Sequence, residues 1–235
     1  MIKKLACLLI LLVFAVPAAA TDARHEAYMK AARTFVENHI MPDGEKIADE
    51  DIVADFKESK LAICDVDGDG QPELLIQFGA GTMAAMQEFV CGFDEKNGKL
   101  TVEVFGFPAF EYFDNGCAKA GDSHNQGLAG EFWPFSILKY NAGTGEYELM
   151  GHVDAWSKED FPEDFESKPF PDKLDKIKDG FVYFIEAEGF KGYDEPVDTP
   201  VYEKWLAQYM NGAKSVKPDW VSADVNGLNA LKKSK

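Results

Sequence analysis

The stretch Leu61-Ala62-Ile63-Cys64-Asp65-Val66-Asp67-Gly68-Asp69-Gly70-Gln71-Pro72-Glu73-Leu74-Leu75-Ile76-Gln77-Phe78 decides the fold. Two short apolar runs flank nine residues dominated by Asp and Gly, a pattern that predicts two strands joined by a tight acidic loop. Asp65, Asp67 and Asp69 stand at alternate positions, and Gly68 and Gly70 let the backbone curl so that the three carboxylates converge. Like charges held this close destabilise a turn unless a cation offsets them. Calcium takes six to eight oxygens at about 2.3–2.6 Å. The carbonyl of Gln71 and the carboxylate of Glu73 are placed to add to the aspartates, so the expected metal ligands are Asp65, Asp67, Asp69, Gln71 and Glu73. Position twelve of the loop is Ile76, where an EF-hand places its bidentate glutamate, and a strand follows where an EF-hand has a helix. The reading is a strand–loop–strand calcium site of modest affinity, on the order of 10⁻⁴–10⁻³ M. Magnesium fits less well because it keeps several waters.

Outward from this loop the same short period continues. Strands are expected at 87–93, 100–105, 111–113 with 117–120, 132–140, 147–153 and 181–185, with turns at Asn97-Gly98, Asn115-Gly116, Gly143-Thr144-Gly145 and Asp179-Gly180. Helical spacing occurs at the two ends. Tyr28, Ala32, Phe35, Val36 and His39 predict an amphipathic helix over 22–40, stopped by Met41-Pro42-Asp43-Gly44, and Ile47, Ile52 and Phe56 carry a weaker pattern to Ser59. Asp198-Thr199-Pro200 opens a second helix bearing Val201, Trp205, Leu206 and Tyr209, with Gly212 as its stop. Residues 156–171, rich in Asp, Glu, Phe and Pro, read as a surface loop. The fold class is therefore α+β: an antiparallel, hairpin-rich sheet flanked by N- and C-terminal helices. The domain is expected over 21–231, with a basic tail at 232–235.

Residues 1–20 read as a signal peptide: Lys3-Lys4, an apolar run from Leu5 to Val16, then Pro17 and three alanines. The run is shorter than the ~20 residues a membrane-spanning helix needs, so cleavage is expected near Ala20. The protein is then extracytoplasmic, periplasmic or secreted. Cys7 precedes most of the apolar run and is poorly placed for lipidation. The net charge of −17 becomes −19 without Lys3 and Lys4. So acidic a chain repels nucleic acid and anionic lipid, and suits metal ions, basic proteins or solubility as a monomer. Cys64, Cys91 and Cys117 remain, an odd number. Cys64 reads as a buried small hydrophobe, and Cys91 with Cys117 as the expected disulfide.

Three stretches, Asp65–Ile76, Ser123-His124-Asn125-Gln126-Gly127 through Phe132-Trp133-Pro134-Phe135, and Pro196–Leu206, resemble a poorly characterised family of exported and lipoprotein-type proteins of gut anaerobes. That family shares an Asp-x-Asp-Gly-Asp-Gly-x-Pro-Glu-Leu-Leu-Ile core. The resemblance implies no particular activity, and this chain departs from lipoprotein members in lacking a well-placed lipidation cysteine. Integrin-type propellers and dockerins carry similar loops in several copies; here one clear copy is present, with Asp175–Gly180 a degenerate echo.

The densest polar cluster elsewhere is Ser123–Gly127. A hydrolase would use His124 as general base with Asp122 or another acid orienting it, yet no Gly-x-Ser-x-Gly, His-Glu-x-x-His or paired-cysteine zinc pattern accompanies it. His25, His39 and His152 fall in helix or strand patterns and are not expected as ligands. The aromatics Phe107, Phe110, Tyr112, Phe113, Phe132, Trp133 and Phe135 suit either a core or a surface for sugar or peptide. The leading expectation is thus a calcium-binding module for a protein or carbohydrate ligand, not an enzyme; the alternative is a calcium-dependent hydrolase using His124.

Overall fold

The computed structural model describes residues 18–48, 56–79, 85–125 and 127–233. The chain forms twelve strands among these residues. In order they are β1 (Lys60–Cys64), β2 (Glu73–Phe78), β3 (Gln87–Asp94), β4 (Lys99–Gly106), β5 (Phe110–Phe113), β6 (Cys117–Gly121), β7 (Phe135–Asn141), β8 (Glu146–Ser157), β9 (Phe181–Glu186), β10 (Val197–Asp198), β11 (Ser215–Val216) and β12 (Val221–Ser222). The helices are α1 (Ala18–Asn38), α2 (Thr199–Met210) and α3 (Val225–Leu231).

The strands divide between two sheets, a five-stranded one in the order β12-β1-β2-β3-β4 and a seven-stranded one in the order β10-β9-β8-β7-β6-β5-β11. Strict alternation along β1 to β3 explains the layering. Leu61, Leu74, Ile76, Phe89 and Cys91 face Tyr28, Ala32 and Phe35 of α1 and Leu228 and Leu231 of α3. Ala62, Leu75 and Val90 point the other way, onto Tyr112 and Ala118 of the second sheet. The outer face of that sheet carries Ile137, Val153, Tyr183 and Ile185 under Trp205 of α2. The result is four layers, helix–sheet–sheet–helix. Each fully buried Leu, Ile or Phe contributes about 1.5–3 kcal/mol, so Leu74, Ile76 and Phe78 on one face of β2 and Leu75 on the other make that strand the centre of the fold.

Local chemistry sets the ends of the helices. His39 adopts φ 54° and its N–H donates to the Phe35 carbonyl at 3.1 Å, ending α1 at Asn38, two residues before the expected stop. The Asp198 carboxylate accepts from Thr199 N, and Pro200 occupies the first turn of α2. Asp224 caps α3 by accepting from Gly227 N at 2.8 Å. The weaker helical pattern at 47–59 falls largely outside the described residues, and only a single 3-10 turn, Phe56–Glu58, forms at its end.

Three expectations need correction. Trp156 and Ser157 belong to β8, and Phe170 is buried edge-on against Trp156 at 5.5 Å, so the acidic 158–180 connection carries its own small core. Cys64 is only partly buried. Cys91 and Cys117 are free thiols, as is Cys64, because Cys91 faces the helices while Cys117 begins β6 in the other sheet. The signal-peptide reading concerns residues of which 1–17 lie outside those described. Among the described residues no helix is long and apolar enough to cross a membrane.

Thiol titration in denaturant without reductant is expected to find Cys64, Cys91 and Cys117 all reactive. A Cys91–Cys117 disulfide in a non-reducing peptide map would contradict the layering.

Candidate metal centre

The loop between β1 and β2 folds on its own acidic side chains. Asp65 Oδ1 accepts from Gly68 N at 2.9 Å and its Oδ2 from Gly70 N at 3.0 Å. Asp67 Oδ1 accepts from Asp69 N at 2.8 Å, Asp69 Oδ1 from Gln71 N at 2.7 Å, and Glu73 Oε2 from Val66 N at 2.9 Å. These bonds wind the backbone inward. Gly68 and Gly70 sit at φ 78° and 86°, which residues with a Cβ adopt only with strain. One oxygen each of Asp65, Asp67 and Glu73 thereby lies within 4.8 Å of the others. Asp69 and Gln71 remain in the loop beside this trio.

The loop is wedged into the sandwich. Tyr28 of α1 donates its hydroxyl to the Pro72 carbonyl at 2.9 Å, and Tyr147 of β8 donates to the Val66 carbonyl at 3.0 Å. The β5–β6 turn closes the third side. A Cβ on Gly116 would lie 2.3 Å from the Asp67 carbonyl oxygen, so only glycine permits that approach. Helix, first sheet and second sheet therefore all meet at one acidic loop.

Seating the loop this deeply leaves polar atoms without donors. Asp67 is 5% exposed and Glu73 3% exposed. Asp67 Oδ2 and Gln71 Oε1 are buried with no hydrogen-bond partner, a state costing roughly 1–3 kcal/mol per group. No ion pair among the described residues reaches Asp65, Asp67, Asp69 or Glu73. Burial first, and then the Asp67 carboxylate, push Glu73 up to about 10. Burial likewise raises Asp67 to about 6, with Asp69 and Asp65 adding to it. Carboxylates arranged so that their charged forms are disfavoured in isolation form a cage that a divalent cation would relieve.

Sequence reasoning missed Glu103. It lies in β4, 8% exposed, with its Oε2 buried and unpartnered. Burial, then Asp67 and Asp69, raise it to about 8. The only signal was a carboxylate between two valines in a strand, which an exposed edge residue also produces.

The second sequence candidate is arranged differently. His124 is exposed and, among the described residues, its ring bonds Ser123 Oγ, through Nδ1 at 2.8 Å. The Asp122 carboxylate faces His152 instead, 3.8 Å from its Nε2, and His152 Nδ1 lies 3.2 Å from Ser136 Oγ. Asn125 donates to the Gly130 and Phe132 carbonyls, both at 2.8 Å, and so braces the loop. A hollow of about 360 Å³ beside His124 is lined by Phe107, Asp122, Ser123 and Ser136 and does not reach the acidic loop. Of the neighbouring aromatics, Tyr112 and Phe135 are core, while Trp133 is half exposed with its indole N–H given to the Asp122 carbonyl. No family model, curated protein or solved structure matches the chain.

The raised acids set the pH behaviour of the ion-free protein. Folded Glu73 and Asp67 hold protons more tightly than their ordinary values of 4.5 and 3.8. Their protonated forms therefore favour the fold, and that stability drains away as pH rises, from about 4 to 6 for Asp67 and on toward 10 for Glu73. In chelator, Tm is expected to fall between pH 5 and pH 8 by at least the ~2–4 °C that 1 kcal/mol produces in a domain of this size. A Tm that stays level or rises would contradict the burial of these carboxyls.

Proposed function

We propose that this chain is a calcium-stabilised extracytoplasmic domain that serves as a binding or interaction module for a protein or carbohydrate ligand. The observation that carries the calcium reading is the pair of buried oxygens that accept no well-formed hydrogen bond, Asp67 Oδ2 and Gln71 Oε1, beside the converging Asp65, Asp67 and Glu73 carboxylates, with the Tyr140 hydroxyl also reaching the Asp67 carboxylate. Buried polar groups in native proteins find partners, and here the partner that suits several carboxylates and one amide oxygen is a hard cation. Calcium is favoured over magnesium because the donors come from a curled loop and not from an octahedral set with room for several waters.

Bound there, the ion would hold β1 to β2 and brace the contacts of the loop with Tyr28, Tyr147 and Gly116. In this reading its role is structural, tying the loop to α1, β8 and the β5–β6 turn. The hydrolase alternative is set aside because Asp122 turns to His152 and the hollow at His124 stops short of the loop. The export reading rests on the charged, apolar and small-residue segments of residues 1–20.

Calcium at about a hundred times its Kd is expected to stabilise the protein by ~2.7 kcal/mol, a Tm rise of roughly 5–10 °C by scanning calorimetry. Magnesium gives a smaller rise, and both Asp67→Ala and Asp67→Asn abolish the calcium effect. A melt that is identical in excess calcium and in chelator would overturn the reading.

A further inference from the structure

Glu103 sits at a break in the sheet. Val90 pairs with Val104 and Cys91 with Val102, so β4 spends one extra residue, and that residue is Glu103. The bulge separates two valines that regular alternation would place on one face. Val102 packs on the helix side, and Val104 packs between the sheets. Bulges re-aim side chains in this way and concentrate at functional sites.

The neighbouring strand makes room for the re-aimed side chain. A Cβ on Gly92 of β3 would lie 2.0 Å from Glu103 Oε1, so the carboxylate occupies the space that any other residue at 92 would fill. Cys91 and Phe93 on either side pack toward the helices, which leaves Gly92 on the inter-sheet side with the acidic loop. More than nine-tenths buried, Glu103 has no donor on Oε2 and, among the described residues, no ion pair. Its charge is felt by tyrosines from three layers: Tyr28 of α1, Tyr140 of β7 and Tyr147 of β8. It stands outside the close trio of Asp65, Asp67 and Glu73, so it is not counted among the oxygens that converge in the loop.

We infer that Glu103 is an outer carboxylate of the calcium centre, its free Oε2 accepting a hydrogen bond from a water held by the ion, with Gly92 as the residue that admits it. This rests on the calcium reading above. It explains together why the bulge falls at residue 103, why position 92 lacks a side chain, and why a buried acid is left without a donor. Groups that orient a metal's ligands from outside typically govern affinity by 10–100-fold.

The test measures calcium binding by isothermal titration, and terbium binding by luminescence excited through the tyrosines, on the full chain and on Glu103→Gln, Gly92→Ala, Asp67→Asn and Glu88→Gln. Glu103→Gln and Gly92→Ala are each expected to weaken calcium by about 10-fold or more. Glu88→Gln should leave affinity unchanged. Glu88 is also buried, at 2% exposure, but is bonded to Tyr112 at 2.6 Å and Gln77 at 3.0 Å, so it controls for the loss of any buried glutamate. Glu103→Gln should also retain its ion-free Tm or gain, since it replaces a carboxyl whose ionised form burial and Asp67 disfavour by a neutral amide; a merely structural glutamate would show the opposite. If Glu103→Gln binds as tightly as the parent while Asp67→Asn loses binding, the inference about Glu103 falls and the loop stands. If the parent chain binds neither ion, both fall.

Discussion

A cluster of carboxyl groups buried between protein layers is the constraint around which this molecule is organised. Asp67 and Glu73 are almost fully buried, and removing an ionised carboxylate from water without a partner costs several kcal/mol. The fold accepts this because the loop backbone is clamped from three directions, by Tyr28, by Tyr147 and by the turn at Gly116. Those clamps fix carbonyls and not carboxylates. They leave the acidic oxygens buried, with no ion pair to them among the described residues.

The surrounding architecture follows from β2 burying leucine or isoleucine on both of its faces. A strand with Leu74 and Ile76 on one side and Leu75 on the other can be satisfied only between two layers. α1 and α3 supply one layer and the second sheet the other. The loop that precedes β2 is thereby drawn into the gap between the sheets. Deviations from regular pairing then place specific side chains. The bulge in β4 turns Glu103 out of register, and a second bulge opposite Ile137 and Leu138 does the same on β8, where Ile137 pairs with Gly151 and Leu138 with Leu149, leaving Met150 as the extra residue.

The polar cluster at 122–125 behaves as structure. Its carbonyls and amides brace the turn through Asn125, Trp133 and Ser123, and the acid that a catalytic reading requires of Asp122 is directed to another histidine. Histidine, serine and aspartate adjacent in sequence carry no information about which ring an aspartate will face once three strands have paired.

The sequence by itself determined the local features: the nine longer strands, β1 to β9, within a few residues, the α2 start at Asp198-Thr199-Pro200, the glycine turns, and the inward-curling Asp–Gly loop. Each of these is written in short-range periodicity, in φ-permissive glycines or in side chains that bond their own backbone. Tertiary structure alone decided that the strands form two sheets, that β10, β11 and β12 pair at all, that Cys91 and Cys117 face different layers, and that Glu103 joins the acidic loop. Two-residue strands have no period to read, and α3 is a seven-residue helix interrupted by Gly227. Glu103 is thirty residues from Glu73 in the chain, and its burial depends on a bulge and on the absent side chain of Gly92, both of which exist only once β3 and β4 have paired.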